Sequence, residues 1–136
     1  MKFIGFNFTK INVEKFSNKP DKLKINTKID ISKINFVKAD FIENNELAKI
    51  DFNYIVDYEP NFAKIFISGE IFISDKVEII KDFVKKWEKN QQIVEEHKIF
   101  VYNIILRKSG LKALQLEDEM NLPLHMPFPS IKKEKK

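Results

Sequence analysis

The chain of 136 residues contains no cysteine, which excludes disulfide bonds and thiolate metal sites and fits a reducing compartment. Its three glycines, Gly5, Gly69 and Gly110, are too far apart to form a phosphate-binding loop. No apolar run approaches the roughly 20 residues of a membrane-spanning helix, and the first residues lack the apolar region of a secretory signal. We therefore expect a cytoplasmic protein without membrane insertion.

Residues that usually form catalytic or metal sites are few and scattered. His97 and His125 do not have metal-ligand spacing, and no serine stands in a G-x-S-x-G turn. The acidic runs at 95–96 and 117–119 are typical of solvated faces, because adjacent carboxylates point away from each other. We expect no enzymatic activity, no cofactor, no metal and no small-molecule substrate.

Apolar residues make up 43% of the chain, and thirteen of them are phenylalanines. This content predicts one domain over residues 1–131, followed by a basic solvated tail over 132–136. Residues 1–38 carry nine lysines against three acidic residues, whereas residues 39–75 carry two lysines against eight. Opposite signs in neighbouring strands favour cross-strand charge pairs over a nucleic-acid footprint, so nucleic acid is not the expected partner.

Four stretches alternate between apolar and polar residues, and we predict strands over residues 3–16, 22–32, 46–58 and 62–73. In the first, the apolar parity changes near Thr9 and Lys10, which predicts a β-bulge. The fourth has aliphatic residues on one face, while its nominally wet face carries Phe62, Phe66 and Phe72. Either helices cover both faces of this strand, or these phenylalanines form an exposed surface for a partner.

Helical patterns follow the strands. Asp75 and Glu78 have the spacing of a capping box before an apolar helical face that reaches Trp87. A second pattern runs from Ile93 to Gly110 and extends to Leu116, with a potential break at Ser109-Gly110. Strands first and helices afterwards predict an α+β fold: a four-stranded antiparallel sheet with two or three helices packed on one face.

Three of the five prolines fall in the stretch NLPLHMPFP, residues 121–129. Proline has no backbone N–H and disfavours a helical residue before it, so we expect the preceding helix to end near Met120 or Asn121. Beyond that point the chain should be extended. Its apolar side chains predict either a clamp on the protein's own sheet or helices, or one wall of a binding site.

This layout resembles the SecB-like export chaperones. Four antiparallel strands, helices and a closing segment after Gly110 have the family's order, and Asn121–Phe128 is similar to its "LxLxPxxF" stretch. The resemblance spans about residues 5–130. It implies an ATP-independent holdase, a homotetramer built as a dimer of dimers, that holds unfolded polypeptides in apolar grooves. It also implies a role in protein export or toxin–antitoxin control.

Two features depart from the family pattern. Bacterial members are acidic and use an acidic sheet face to dock the translocation motor, whereas this chain has a pI near 9.1. Residues 111–119 also continue as helix where the family has a shorter connection. From the resemblance we therefore expect the binding of unfolded polypeptide rather than any particular docking partner.

We expect the polypeptide-binding groove to combine the phenylalanines of the fourth strand with the closing segment. Its predicted lining is Phe62, Phe66, Phe72, Leu122, Leu124, Met126 and Phe128. Apolar client side chains buried there would hold the unfolded state by mass action. Two alternatives stay open: a structural or adaptor oligomer that buries the same phenylalanines permanently, and a module that binds RNA or DNA through the first two strands.

Overall fold

The computed structural model describes residues 1–17, 22–38, 45–131 and 133. Four strands, β1 (Lys2–Lys15), β2 (Lys24–Val37), β3 (Asn45–Glu59) and β4 (Ala63–Lys76), precede two helices, α1 (Val77–Asn90) and α2 (Glu95–Met120). This is the predicted fold class, an antiparallel sheet followed by helices. Of the predicted tail over 132–136, only Lys133 lies within the described residues, and it is exposed.

The sheet has the strand order β1-β4-β3-β2, so β1 and β2 are its edges. The basic strand β2 therefore adjoins β3, which has four acidic residues and one lysine. The register places Lys24 opposite Glu59 and Lys33 opposite Asp51, which agrees with the charge pairing that the sequence predicts.

The predicted bulge in β1 is confirmed by a register shift between Phe8 and Lys10 against β4. Phe8 lies opposite Gly69 and Ile11 opposite Ile67, so both point to the helix-facing side although their parity differs. A second shift, between Phe3 and Gly5, has no counterpart in the prediction.

The core lies on the side of the sheet that faces the helices. Alternate residues of the two central strands fill it and are at most 1% exposed: Ile50, Phe52, Tyr54, Val56, Tyr58, Ile65, Ile67, Ile71 and Ile73. The helices contribute Ile80, Phe83, Val84, Val101, Ile105 and Ala113 to the same cluster. On the other side, which we call the outer face, most side chains are half-buried or exposed.

Two details of the helices correct the sequence predictions. Asp75 accepts a hydrogen bond from the Lys76 N–H at 2.7 Å, and no side chain caps α1, so the predicted capping box is wrong. α2 runs without a break through Ser109 and Gly110, because both are buried in a continuous packed face. It ends as predicted, at Met120. Neither helix is long and apolar enough, within the described part of the chain, to cross a membrane.

Candidate functional site

The three phenylalanines predicted for one wet face lie in different environments. Phe62 precedes β4 in a turn, where it is 3% exposed and its ring lies 6.3 Å from that of Tyr58 in the core. Phe66 and Phe72 do lie on the outer face and are half-buried. Six residues of strand place these two about 20 Å apart, with polar residues between them. They therefore form separate contacts rather than one groove.

The outer face carries charges of both signs. The Lys49 Nζ lies 3.8 Å from an Asp51 carboxylate oxygen and 3.7 Å from a Glu70 carboxylate oxygen. The Lys10 Nζ lies 5.3 Å from the centre of the Phe66 ring, within cation–π distance. A phosphate backbone requires a continuous positive path, so this mixture does not favour binding of RNA or DNA.

The closing segment, residues 121–128, lies on the helix-facing side, and we call it the strap. The Leu122 N–H donates to the Glu117 carbonyl oxygen at 2.8 Å. Met126 lies over Gly110, where an added Cβ would be 3.1 Å from the Met126 Cε. The strap therefore folds back along α2, as the clamp interpretation predicts.

A buried carboxylate holds the strap in place. Glu117 is 0% exposed, and its Oε2 accepts hydrogen bonds from the Tyr58 Oη and, at 3.0 Å, from the His125 N–H. Its Oε1 lies 2.7 Å from the His125 Nδ1. The Tyr58 Oη is also 2.8 Å from the Pro123 carbonyl oxygen, and the Tyr54 Oη is 2.7 Å from the His125 Nε2. Four side chains from three elements thus converge on one point.

Both tyrosines in this network remain protonated at neutral pH. Burial, followed by the nearby negative charge of Glu117, raises the pKa of Tyr54 to about 12. Burial also raises the pKa of Tyr58, and its hydrogen bond to Glu117 raises it further. The Tyr58 hydroxyl is therefore available as a donor to the buried carboxylate.

Sequence reasoning missed Glu117, because the acidic run at 117–119 was expected to be solvated. Asp118 and Glu119 are exposed, but Glu117 is not. The available signal was helical spacing: buried positions recur every four residues along α2, at Val101, Ile105, Ser109, Ala113 and Glu117. His125 carried no comparable signal, since it lies outside the helix and its partner Tyr54 is distant in the sequence.

The seven residues predicted to line a single groove are divided by the sheet. The strap contacts Tyr54 and Tyr58 on the helix-facing side, whereas Phe66 and Phe72 lie on the outer face. Phe62 and Leu122 are buried in the core, Met126 is half-buried, and Leu124 and Phe128 are 43% and 66% exposed. Within one chain, these residues do not form one continuous surface.

An open groove of about 550 Å³ lies beside β2, and we call it the edge groove. Its apolar lining is Ile29, Ile31, Trp87, Ile93, Val94 and Tyr102, and its polar lining is Asp30, Lys86, Gln91, Gln92 and Lys98. Ile29 and Ile31 point towards the helices and Asp30 points away, yet all three contact the cavity. The groove therefore reaches the edge of β2 that pairs with no other strand among the described residues.

A second cavity extends the edge groove along α2. It shares Ile93, Lys98 and Tyr102 with the first cavity and adds Ile99 and Asn103. The sequence did not predict this groove, because β2, the end of α1, the connection between the helices and α2 each supply only a few of its residues. Trp87 at the end of the α1 apolar face and the loosened pattern after it were the available signals.

The opposite edge of the sheet has an uncovered apolar row. Phe3, Phe8 and Ile11 of β1 point to the helix-facing side but are 37–40% exposed. α2 passes nearby, since the Lys108 Nζ lies 5.9 Å from the centre of the Phe3 ring. The two edges therefore differ: β2 borders a concave groove, and β1 presents an open apolar strip.

No cluster of three or more potential metal ligands occurs among the residues that the structure describes. The candidate surfaces consist of apolar side chains at the two edges of the described sheet, and their chemistry suits another polypeptide chain.

Comparisons with known proteins give a match in structure alone. No family model matches the chain, and no curated protein does. Among solved structures, a match is the Mycobacterium tuberculosis Rv1957 SecB-like chaperone in complex with a ChAD peptide from the Rv1956 HigA1 antitoxin. The TM-score is 0.53 and the sequence identity 8%, with 98% of this chain and 92% of that chain covered. At this identity the likeness concerns the fold.

Proposed function

We propose that this protein, whose fold is that of the SecB-like chaperones, binds non-native polypeptides in extended form along the edge groove. The observation that carries the proposal is the position of the groove: an open cavity with both apolar and polar lining, beside the edge of β2 that no other described strand pairs with. An extended chain placed there would pair its backbone with the strand and bury alternate side chains in the groove.

The mechanism is that of a holdase and requires no ATP. Burial of apolar area is favourable at roughly 25 cal/mol per Å² and has little directional preference, so many client sequences would bind. Binding of the unfolded client lowers the concentration that is free to aggregate. No step of this mechanism requires a catalytic group, a cofactor or a metal.

The similar solved structure supports a polypeptide ligand, because that chaperone is in complex with a peptide from an antitoxin. We extend this to the present chain as part of the proposal, together with action in the cytoplasm and a role in protein export or toxin–antitoxin control. The outer face here has mixed charge, so the proposal includes no docking of a translocation motor on that face.

The predicted site residues keep a restricted role in this proposal. Leu124 and Met126 are accessible on the helix-facing side and would contact a client near the strap. Phe128, at the end of the strap, is more exposed than either. Phe66 and Phe72 would offer isolated contacts on the outer face. The buried residues Phe62 and Leu122 would support the site from within the core.

We also propose that copies of this chain associate through β1. An edge strand with a row of uncovered aromatic and aliphatic side chains can pair with its equivalent in a second copy and bury that row. Such a dimer leaves the β2 edge free for clients. A dimer of dimers, as in the SecB-like layout, would bring several edge grooves into one particle.

The direct test is suppression of aggregation. A chemically unfolded client enzyme is diluted into buffer with a stoichiometric amount of this protein, and light scattering is followed over time. We expect the scattering to fall strongly, and Ile99→Asp, which places a charge in the edge groove, to abolish most of the effect.

Leu111→Asp is the matched control, because Leu111 is an equally exposed apolar residue of α2 that does not line the groove. It should suppress scattering as the unaltered protein does. Full scattering in the presence of the unaltered protein would overturn the proposed function. Equal loss of suppression in both variants would overturn the assignment of the groove.

A further inference from the structure

The strap has a direction along α2, set by contacts near its two ends. Leu122 lies at Glu117 and Met126 lies at Gly110. Gly110 precedes Glu117 by about two helical turns, so the strap advances roughly 10 Å towards the beginning of α2.

The strap has the same direction relative to the sheet. Pro123 lies at Tyr58, and His125 lies at Tyr54. Tyr54 is directly opposite Ile29 of β2, which lines the edge groove. Helix and sheet contacts therefore agree that the chain beyond Met126 heads towards the edge groove.

The length of the chain beyond Met126 matches the distance along α2 from Gly110 to the edge groove. Tyr102, which lines the groove, is eight residues before Gly110 on α2, or about 12 Å along the helix. Pro127 and Pro129 favour an extended polyproline conformation, in which residues 127–130 span about 12 Å. Phe128 and Ile131 would therefore arrive at the level of the groove.

Both surfaces are uncovered in the structure. Phe128 is 66% exposed and Ile131 is fully exposed. In the groove, Val94 and Ile99 are 41% and 56% exposed. The segment and the groove thus both present uncovered apolar side chains in the same chain.

We infer that residues 128–131 are an internal ligand of the edge groove of their own chain, and that they compete with clients for it. The inference rests on the proposed function of the groove. Glu117 anchors the strap and so keeps the segment at high local concentration, while the exposed side chains allow a client to displace it. The protein would thereby cover its apolar groove when no client is present.

The test compares full-length chains in binding a fluorescently labelled, unstructured apolar peptide, measured by anisotropy. The double variant Phe128→Ser with Ile131→Ser removes the competing side chains without touching the core. We expect it to bind the peptide at least about threefold more tightly, and about tenfold if the segment fills the groove nine-tenths of the time.

Two variants separate this effect from general loosening. Leu111→Ser changes an exposed apolar residue of α2 that lies outside both the segment and the groove, and it should leave the affinity unchanged. Glu117→Gln keeps the segment intact but weakens its anchor, and it should raise the affinity for the labelled peptide.

The fluorescence of Trp87, the single tryptophan of the sequence, reports on the groove without any client. In the double variant we expect emission at longer wavelength and stronger quenching by acrylamide than in the unaltered chain. Identical spectra and quenching would overturn the inference, because the segment would not be covering the groove.

The failure of each proposal has its own signature. Equal peptide affinity for the unaltered chain and the double variant overturns the internal ligand and leaves the proposed function standing. If neither the unaltered chain nor the double variant binds the peptide, the proposed function is overturned. The quenching of Trp87 by acrylamide then still tests whether the segment covers the groove. If the protection of Trp87 from acrylamide increases with protein concentration, the segment docks on a second copy of the chain. That result would overturn docking within one chain.

Discussion

At the level of single residues, Glu117 determines whether the strap is held. Its carboxylate accepts hydrogen bonds from Tyr58 and from the backbone and ring of His125, all within a buried site. Glutamine keeps the size but replaces one acceptor oxygen with an NH₂ group that faces these donors. We expect Glu117→Gln to lower the free energy of unfolding by about 1–3 kcal/mol in urea denaturation.

The neighbouring Asp118→Asn is the control, since Asp118 has the same kind of side chain in an exposed position. It should change the free energy of unfolding by less than about 0.5 kcal/mol. If both variants have the stability of the unaltered protein, the buried carboxylate does not hold the strap.

The tyrosines of the same network make stability depend on alkaline pH. The pKa of Tyr54 is about 12 in the folded protein, above the ordinary value of 10.0. The contribution of Tyr54 to the free energy of unfolding is therefore complete below pH 10 and is lost as the pH rises towards 12, because this tyrosine ionises at a lower pH in the unfolded chain. One such group changes the free energy of unfolding by at most about 1.4 kcal/mol per pH unit.

Tyr54→Phe removes this proton-linked group and retains the ring. We expect the free energy of unfolding of the variant to fall less steeply between pH 10 and pH 11.5 than that of the unaltered protein, as measured by urea denaturation at each pH. Parallel curves for the two proteins would contradict the assignment of the pKa of Tyr54.

At the level of secondary-structure elements, the packing of β4 against its neighbours depends on Gly69. A Cβ at this position would lie 2.7 Å from the Phe52 Cζ and 2.8 Å from the Asn7 carbonyl oxygen. Phe52 is buried and Asn7 contributes backbone, so neither can move freely. We expect Gly69→Ala to cost about 1–3 kcal/mol, visible as a lower midpoint in thermal unfolding.

Gly5→Ala provides the matched control on the adjacent strand. A Cβ at Gly5 would meet only the Phe72 ring, at an ordinary contact distance of 3.8 Å. Its thermal midpoint should stay close to that of the unaltered protein. A Gly69→Ala variant as stable as Gly5→Ala would show that Phe52 can repack.

The strands could be predicted because each has one apolar face, and in β1 a bulge near Thr9 shifts the period of two by one residue and keeps the apolar side chains on that face. Phe62 could not be placed by the same rule. It lies before the first residue of β4, so the alternation of the strand does not extend to it. Its position depends on a turn that returns the side chain to the core beside Tyr58.

No local sequence pattern predicts the edge groove as a whole, because its residues come from several elements. Ile29 lies far along the chain from Trp87 and Tyr102, and Trp87 alone gave a local signal that does not identify its partners in the groove. The strap shows the same limit: its prolines predicted an extended chain, but only the folded protein brings His125 to Tyr54 and Glu117.

At the level of the whole molecule, the two sheet edges are suited to different partners. β2 borders a concave groove beside the connection between the helices, which can enclose an irregular client. β1 presents an open row that includes Phe3, Phe8 and Ile11, and a repeated flat surface of this kind suits its own copy. Client binding at β2 and self-association through β1 would then use opposite edges of one sheet.

The proposed assembly makes a specific prediction for β1. Ile11→Lys places a charge in the middle of the apolar row, and because Ile11 is 40% exposed in the single chain, the variant should fold normally. We expect the particle mass, measured by light scattering after gel filtration, to fall from a multiple of 16.1 kDa towards that of one chain. Asn12→Lys adds the same charge to the next residue, which points to the outer face, and should leave the mass unchanged. A monomeric unaltered protein, or equal masses for all three, would mean that the β1 row serves another purpose than self-association.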